Sequence, residues 1–543
     1  MSAPVQAGAK LAANGLDTGE DPGGQALPKR PERGDEIELH IDSLAHGGEG
    51  VGRLTLPGTP HDGGQAGGDT PSGAHGGGYV VFVSGALPGD HVKAQIVKRK
   101  RSYAHARLVE IVQESPERIP PTAKHPGVAW QVLPYERQLQ IKSEQVEDAL
   151  RRIGKLDGFE MQEIVPAVER WRYRNKLEYS FGKGPDGELV CGFHAPSGWN
   201  AVEQIEDCLL ASERGNQARE LALRWCREQN LLPWSRGGRP GGGRAQLEDL
   251  GGDPVDSESP QRRSREERTG PAPDGRPFLR NLVVREGRHS GRLQIRLVST
   301  DGELDVPTLA AALVAELGEE TVSGVLWTRS SSLAETTMGG ETELVWGEAE
   351  LPERLAYPAL GRELDLRISS EAFFQTNTEM AEALYGIVTD YAALEGWERV
   401  YDLYCGIGTI ALTLAPHAGE LWGIEIVEQA VADAIAAAKR NEVTSAHFFA
   451  GDARLALPEL LERAGKPDVV VVDPPRAGLS QKVVRRIIDA SPKRIVYVSC
   501  NPTTLAPNAA QLVEAGWRLV KVRPVDMFPQ TPHIECVAML ERG

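Results

Sequence analysis

From Ser370 to the C-terminus, short apolar runs alternate regularly with helical stretches, and this pattern leaves few folds open. The runs fall near residues 400, 421, 447, 469, 495, 518 and 535, with helical stretches such as the Ala-rich Val427–Asn441 and Gln481–Ala490 between them. Strands separated by helices make a doubly wound α/β domain, which takes its ligands at the carboxyl edge of its sheet. Three runs end there in residues that cannot continue a strand. Val400–Leu403 leads into Cys405-Gly406-Ile407-Gly408-Thr409, and Val469–Val472 into Asp473-Pro474-Pro475-Arg476. Ile495–Val498 leads into Ser499-Cys500-Asn501-Pro502. A glycine loop, a carboxylate on a proline-stiffened turn and a thiol thus share one edge. This set points to covalent chemistry beside a nucleotide-like cofactor.

The chain has 543 residues, too many for one core, so two to four domains are expected. No apolar stretch is long enough to span a bilayer, and Met1–Pro28 lacks the layout of a signal peptide. A cytoplasmic protein with no membrane partner is the expectation. Six scattered cysteines, at 191, 208, 226, 405, 500 and 536, show neither CxxC pairing nor zinc spacing. The net charge of −17 argues weakly against a nucleic-acid partner, because phosphate affinity follows local patches. Two such patches exist. One is Lys98-Arg99-Lys100-Arg101, and the other is Arg172, Arg174 and Lys176 interleaved with Trp171, Tyr173 and Tyr179. Either patch alone also reads as a solvated strand face.

Residues 1–33 read as a disordered tail. Residues 34–114 read as a small β-barrel of about five strands, interrupted by a Gly-rich insertion at 57–78. A linker at 115–121 and a helical pattern over Tyr135–Ile153 open a mixed α/β central region, 115–368. Strand-like segments there are Lys176–Phe181, Leu279–Val284 and Leu293–Val298, with a low-complexity insertion at 235–277. Residues 369–543 form the doubly wound, Rossmann-like domain.

Gly406-x-Gly408-x-x-Ala411 matches the loose dinucleotide fingerprint, and any small adenosine cofactor would use the same glycines. Glu425, ending the next strand, can accept both ribose hydroxyls or cap a helix. Asp452 can meet an adenine amino group or serve as an ordinary turn residue. Asp402 can reach an ammonium, which S-adenosylmethionine carries and NAD does not, so its pairing with Glu425 favours the methyl donor. A buried cysteine is commonly just a small core residue, but Cys500 sits at a strand end between Ser499 and Asn501-Pro502. A thiolate there can add to C6 of a uracil and make C5 nucleophilic toward a sulfonium methyl. A base must then remove the C5 proton, and the segment Thr531–Cys536 offers candidates.

Taken together, Phe373-Phe374-Gln375-Thr376-Asn377, Asp402–Thr409, Asp473–Gly478, Ser499–Pro502 and Phe528–Glu535 resemble the RNA uracil-5 methyltransferase family. The N-terminal barrel resembles a TRAM domain, an OB-like RNA-binding module. The resemblance spans roughly residues 34–543 apart from the two insertions. It implies Cys500 as nucleophile and Glu535 as the proton-abstracting base. It implies Gln375, Tyr404, Thr409, Glu425 and Asp452 in an S-adenosylmethionine pocket, with Asp473 between cofactor and base. Thr409 stands where some relatives have Asn. The TRAM-like barrel favours structured ribosomal RNA, of 23S type, as partner, with the enzyme acting as a monomer. Alternatives are a tRNA uracil-5 methyltransferase, an RNA cytosine-5 methyltransferase and a non-catalytic RNA-binding protein. A nucleotide-binding oxidoreductase rests on the glycine loop alone. Many TRAM-bearing relatives hold an iron–sulfur cluster just after the barrel. Here Pro121–Trp130 has no cysteine, and Cys208 alone cannot hold a cluster. Neither cluster nor metal is expected.

Overall fold

The computed structural model describes residues 30–55, 78–195, 201–235, 270–272, 274–334, 336–357 and 362–543. Most of the expected N-terminal tail and nearly all of both low-complexity insertions lie outside these residues. Two compact units result, the first running to Ala45 and from Glu49 to Pro116, the second comprising His46–Gly48 and Glu117–Gly543.

In the first unit, β1 (Glu36–Leu44), β2 (Gly50–Leu54), β3 (Tyr79–Ser84), β4 (His91–Arg99) and β5 (Tyr103–Gln113) close a five-stranded barrel. Alternation turns Leu39 and Ile41, Val81 and Val83, and Val92, Ala94 and Ile96 into one core. The basic run 98–101 is exposed at the β4–β5 turn, which the Tyr79 hydroxyl fixes by donating to the carbonyls of Lys100 and Tyr103 at 2.7 Å each.

The second unit carries two large sheets. Its strands begin with β6 (Glu160–Met161), β7 (Lys176–Lys183), β8 (Leu189–His194), β9 (Val202–Gln204), β10 (Leu232–Pro233) and β11 (Phe278–Gly287). They continue with β12 (Arg292–Ser299), β13 (Val322–Arg329) and β14 (Glu341–Gly347). The central sheet runs β14-β13-β12-β11-β7-β8-β9, with β10 beside β11. A hairpin, β15 (Glu350–Tyr357) and β16 (Arg362–Ser369), follows.

The C-terminal strands are β17 (Arg399–Leu403), β18 (Glu420–Glu425), β19 (Ala446–Ala450), β20 (Val469–Val472), β21 (Arg494–Ser499), β22 (Trp517–Val525) and β23 (Glu535–Arg542). Their order is β19-β18-β17-β20-β21-β23-β22-β6. The first five are parallel and β23 runs antiparallel to β21. The strand order reverses between β17 and β20, the position where an open α/β sheet forms its crevice.

Both faces of this sheet are dry. Helices Thr378–Ala392, Thr409–Leu414 and Glu428–Arg440 contribute to one apolar layer, and Ala453–Ala464, Gln481–Ala490 and Pro502–Glu514 to the other. Burial therefore fixes the register of the central strands β17, β20 and β21, at roughly 1.5–3 kcal/mol for each large apolar side chain.

One expected boundary moves. Val146, Ala149, Leu150, Leu156 and Phe159 lie in the core of the C-terminal domain, and β6 pairs with β22. Part of the region assigned to 115–368 is thus a structural part of the catalytic sheet. The expected helix there is α-helical over Tyr135–Asp148 and ends in a π-helical turn, Ala149–Ile153.

Candidate active site

β21 pairs antiparallel with β23 so that Ser499 stands opposite Cys536. The ladder stops at that rung; the next residues are Cys500, just past the end of β21, and Glu535, the first of β23, and the two are close enough to interact electrostatically. β20 lies on the other side of β21, with Val472 beside Tyr497, and so delivers Asp473 to the same edge. The turns are tied together. Asn501 Nδ2 and Thr504 Oγ1 donate to the Arg476 carbonyl at 3.1 and 3.3 Å. The Asn501 side chain also caps helix Pro502–Glu514 by accepting from the Thr503 amide. Asn508 Oδ1 accepts from the Leu479 amide and the Tyr497 hydroxyl at 2.8 and 3.0 Å. Gly478 has φ +73°, and a Cβ there would meet Asn508 Oδ1 at 2.8 Å, so this turn requires glycine.

The electrostatics of this end are unusual. Burial lifts the Asp473 carboxyl to about 7, although part of the residue's surface remains accessible. Glu535 is raised well above the carboxylate range by burial, and Asp473 adds to the rise. Asp402, fully buried, is raised in the same way, with the Ala411 amide pulling against the rise, and among the described residues no side chain hydrogen-bonds its carboxyl oxygens. The Cys500 thiol is pushed up to about 11, first by burial and then by Glu535 and Asp473, while Arg476 pulls it down. A buried acid without a partner costs several kcal/mol to ionise. Two such acids beside the thiol, with Asp402 next to Asp473, mark a site prepared for a ligand.

The other end of the crevice is built differently. Tyr404, Ile424, Glu425, Gly451, Asp452, Ala453, Arg454 and Gly478 are among the residues lining a cavity of about 200 Å³. Glu425 accepts from the amides of Gly406 (3.2 Å), Ile426 (2.8 Å) and Val427 (3.0 Å). Tyr404 holds φ +66°, a left-handed conformation costing about 1–3 kcal/mol in a non-glycine residue. The strain occurs where the strand turns into the glycine loop. At Gly408, φ +81°, a Cβ would meet the Phe448 ring at 2.9 Å.

The structure sorts the sequence candidates into two groups. Cys500, Glu535 and Asp473 converge at the thiol end, and Tyr404, Glu425 and Asp452 line the cavity. Gln375 and Thr409 line neither. The Thr409 hydroxyl donates to the Tyr385 hydroxyl at 3.0 Å. Gln375 is buried, and its carbonyl accepts from Asn175 Nδ2 at 2.8 Å. The Asp452 side chain caps helix Ala453–Ala464 through the Arg454 amide and is clasped by the Arg454 guanidinium, which lowers its pKa to about 2. Of the second basic patch, Arg172 is paired with Asp207 and Lys176 with Glu178. Sequence reasoning missed Gln138, Lys142 and Asp526. Their signal was polar residues at helical spacing, 135-138-142, where a core-facing stripe would be apolar. Among the described residues, no group of three or more His, Cys, Asp or Glu is placed to hold a metal ion, and no helix is long and apolar enough to cross a membrane.

The architecture and this site define an RNA methyltransferase, and comparison with known proteins agrees. Residues 341–543 match the tRNA (uracil-5-)-methyltransferase family and residues 30–109 match the TRAM domain. An uncharacterized RNA methyltransferase of Halalkalibacterium halodurans is 31% identical, over 94% of this chain and 97% of its own. One from Chlorobaculum tepidum is 34% identical over 86% and 92%. The crystal structure of Pyrococcus abyssi tRNA (uracil-54, C5)-methyltransferase in complex with S-adenosyl-L-homocysteine superposes with a TM-score of 0.65 at 25% identity. The match covers 93% of this chain and all of that one. The chain belongs to the RNA uracil-5 methyltransferase family.

Proposed function

We propose that this protein methylates C5 of a uridine in structured RNA through a covalent bond between Cys500 and C6, with Glu535 as the base. The observation that supports this reading is the end of the β21–β23 ladder, Ser499 opposite Cys536, whose next residues are Cys500 and Glu535. S-adenosylmethionine, when bound, supplies the methyl group as a sulfonium electrophile. The residues present suit it. Glu425 and Asp452 are carboxylate acceptors at the cavity, and the Asp402 oxygens, which no side chain hydrogen-bonds among the described residues, suit a cation.

The roles of the chain's own groups follow from their positions. Burial, Glu535 and Asp473 favour the protonated Cys500 thiol in the free protein, so on ligand binding its proton has to pass to water or to an ionised carboxylate, leaving the thiolate. Its sulfur adds to C6, and the C5–C6 π pair moves to C5 and the C4 carbonyl, making C5 nucleophilic. After C5 carries its methyl group, Glu535 takes the C5 proton, which requires that the bound complex has first released the proton that burial favours on Glu535 in the free protein. The C5=C6 bond re-forms, and the C6–S pair returns to Cys500. Asp473, beside both, is placed to hold the uracil edge. The target base has to leave its stack to reach these atoms.

For the RNA, our first reading is 23S rRNA bound by a monomer, with the exposed Lys98–Arg101 run of the TRAM domain as a phosphate anchor. A specific observation favours a second reading. The Pyrococcus enzyme is named for tRNA, yet its match covers 93% of this chain, more than a barrel-less protein could. Mapping 5-methyluridine in ribosomal and transfer RNA from a deletion strain, with and without the restored gene, decides between them. Loss of the mark from 23S rRNA alone supports the first, and loss from tRNA alone replaces it with the second.

A further inference from the structure

The nine-residue connection from β22 to β23, residues 526–534, ends at the proposed base, and its backbone is held to an unusual degree. Four successive carbonyls are each taken by a donor from elsewhere in the chain. Met527 O accepts from Asn377 Nδ2 (3.0 Å) and Phe528 O from Lys142 Nζ (3.0 Å). Pro529 O accepts from the Tyr173 hydroxyl (3.1 Å) and Gln530 O from the Trp130 amide (3.0 Å). Helix Tyr135–Asp148 supplies most of the remaining ties. Gln138 Nε2 donates to Gln530 Oε1 at 2.8 Å, and Gln138 Oε1 accepts from the Gln530 amide at 3.0 Å. Lys142 Nζ pairs with Asp526 Oδ1 at 2.5 Å, and the Tyr135 hydroxyl donates to Asp526 Oδ2 at 2.8 Å. Gln138, Lys142 and Asp526 are all fully buried.

A loop held only for stability needs an apolar plug, and polar groups this deep are costly unless every partner is met. Here they fix backbone atoms one by one. Gln530 is held at φ +65°, left-handed for a non-glycine residue. Thr531 and Ile534 are buried beyond it, and Glu535 is only 4% exposed.

We propose that Gln138 and Lys142, one turn apart on helix Tyr135–Asp148, are positioning residues for the proton-abstraction half of the reaction. They hold the 526–534 connection over Glu535 so that its carboxyl faces the C5 proton. This rests on the assignment of Glu535 as the base. It gives the helix outside the β17–β23 run a role in one chemical step. Cys500 follows a different strand, β21, so adduct formation does not depend on the connection.

The test is a single-turnover reaction with RNA and S-adenosylmethionine, resolved by denaturing electrophoresis into covalent adduct and released methylated RNA. Gln138→Ala is expected to raise the adduct-to-product ratio several-fold while adduct formation stays near the wild-type rate. A smaller folded fraction would lower both species together and leave their ratio unchanged. Should Gln138→Ala fail to fold, Lys142→Met with Asp526→Leu removes the ion pair and the Phe528 tether without leaving a lone charge. An unchanged ratio in the folded variant overturns the proposal. Glu535→Gln run alongside separates the two ideas. If it accumulates adduct and the positioning variant does not, positioning alone is wrong. If it accumulates none, the base assignment fails and the proposal goes with it.

Discussion

The two ends of the crevice lie on one sheet edge but treat their carboxylates in opposite ways. At the cavity end, Glu425 accepts from three backbone amides and Asp452 is clasped by Arg454. At the thiol end, Asp473 and Glu535 are raised by burial, and Asp402, which interacts with both Asp473 and Glu425, is raised in the same way between the two ends. A satisfied acid is a fixed acceptor, good for recognising hydroxyl and amino groups at little reorganisation cost. An unsatisfied acid stores free energy that a cation or a transferable proton releases. The cavity end is therefore built to bind and the thiol end to react.

The largest expected effect removes the thiol. Cys500→Ala should abolish turnover, with S-adenosylmethionine affinity by calorimetry staying within a few-fold, because the cavity lining does not include Cys500. Methylation above background would erase the division between the ends. Next comes Glu535→Gln, which should stall after methyl transfer and leave protein bonded to RNA. Normal turnover would mean that another group or water removes the proton.

A third prediction concerns pH. The Asp473 carboxyl is raised from 3.8 to about 7. The folded protein thus binds a proton that the unfolded chain has already lost between those values. The contribution to stability is fully present below about pH 4 and is lost as pH rises through about 7. The span is worth at most roughly 4 kcal/mol, reduced by the group's partial exposure. Asp473→Asn should flatten the fall in Tm of the ligand-free protein between pH 5 and 8. An Asn variant that follows the wild-type curve would show that Asp473 does not titrate in this window.

The same contrast explains what the sequence could reveal. The strand ends at 403, 472 and 499 were legible because valine-rich runs stop at glycine, proline and asparagine, which have few other uses there. The nearness of Cys500 and Glu535 was not, because it depends on an antiparallel register between strands 36 residues apart in sequence. β6, two residues long, gives no periodicity to detect. Gln138 and Lys142 were missed, because a buried polar side chain is identified only by its partners, here almost four hundred residues away. The Asp452 ambiguity could have been narrowed locally. An arginine two residues on, at a helix start, already competes for the carboxylate.

The smallest effect tests the binding end. Arg454→Ala leaves the Arg454 amide in place, so Asp452 continues to cap helix Ala453–Ala464, and the fold should tolerate the change. The guanidinium is exposed, and an exposed pair contributes little. Its removal frees a carboxylate that would otherwise divide its lone pairs between arginine and ligand. S-adenosylmethionine affinity should therefore change by less than about five-fold, since such contacts are individually modest. Asp452→Ala should behave differently. It loses the cap, worth about 1 kcal/mol, and a cavity acceptor as well, so both denaturant midpoint and cofactor affinity should fall. If Arg454→Ala weakens the cofactor as much as Asp452→Ala does, the arginine is itself part of the binding surface. The cavity end would then owe its affinity to the ion pair rather than to the carboxylate alone.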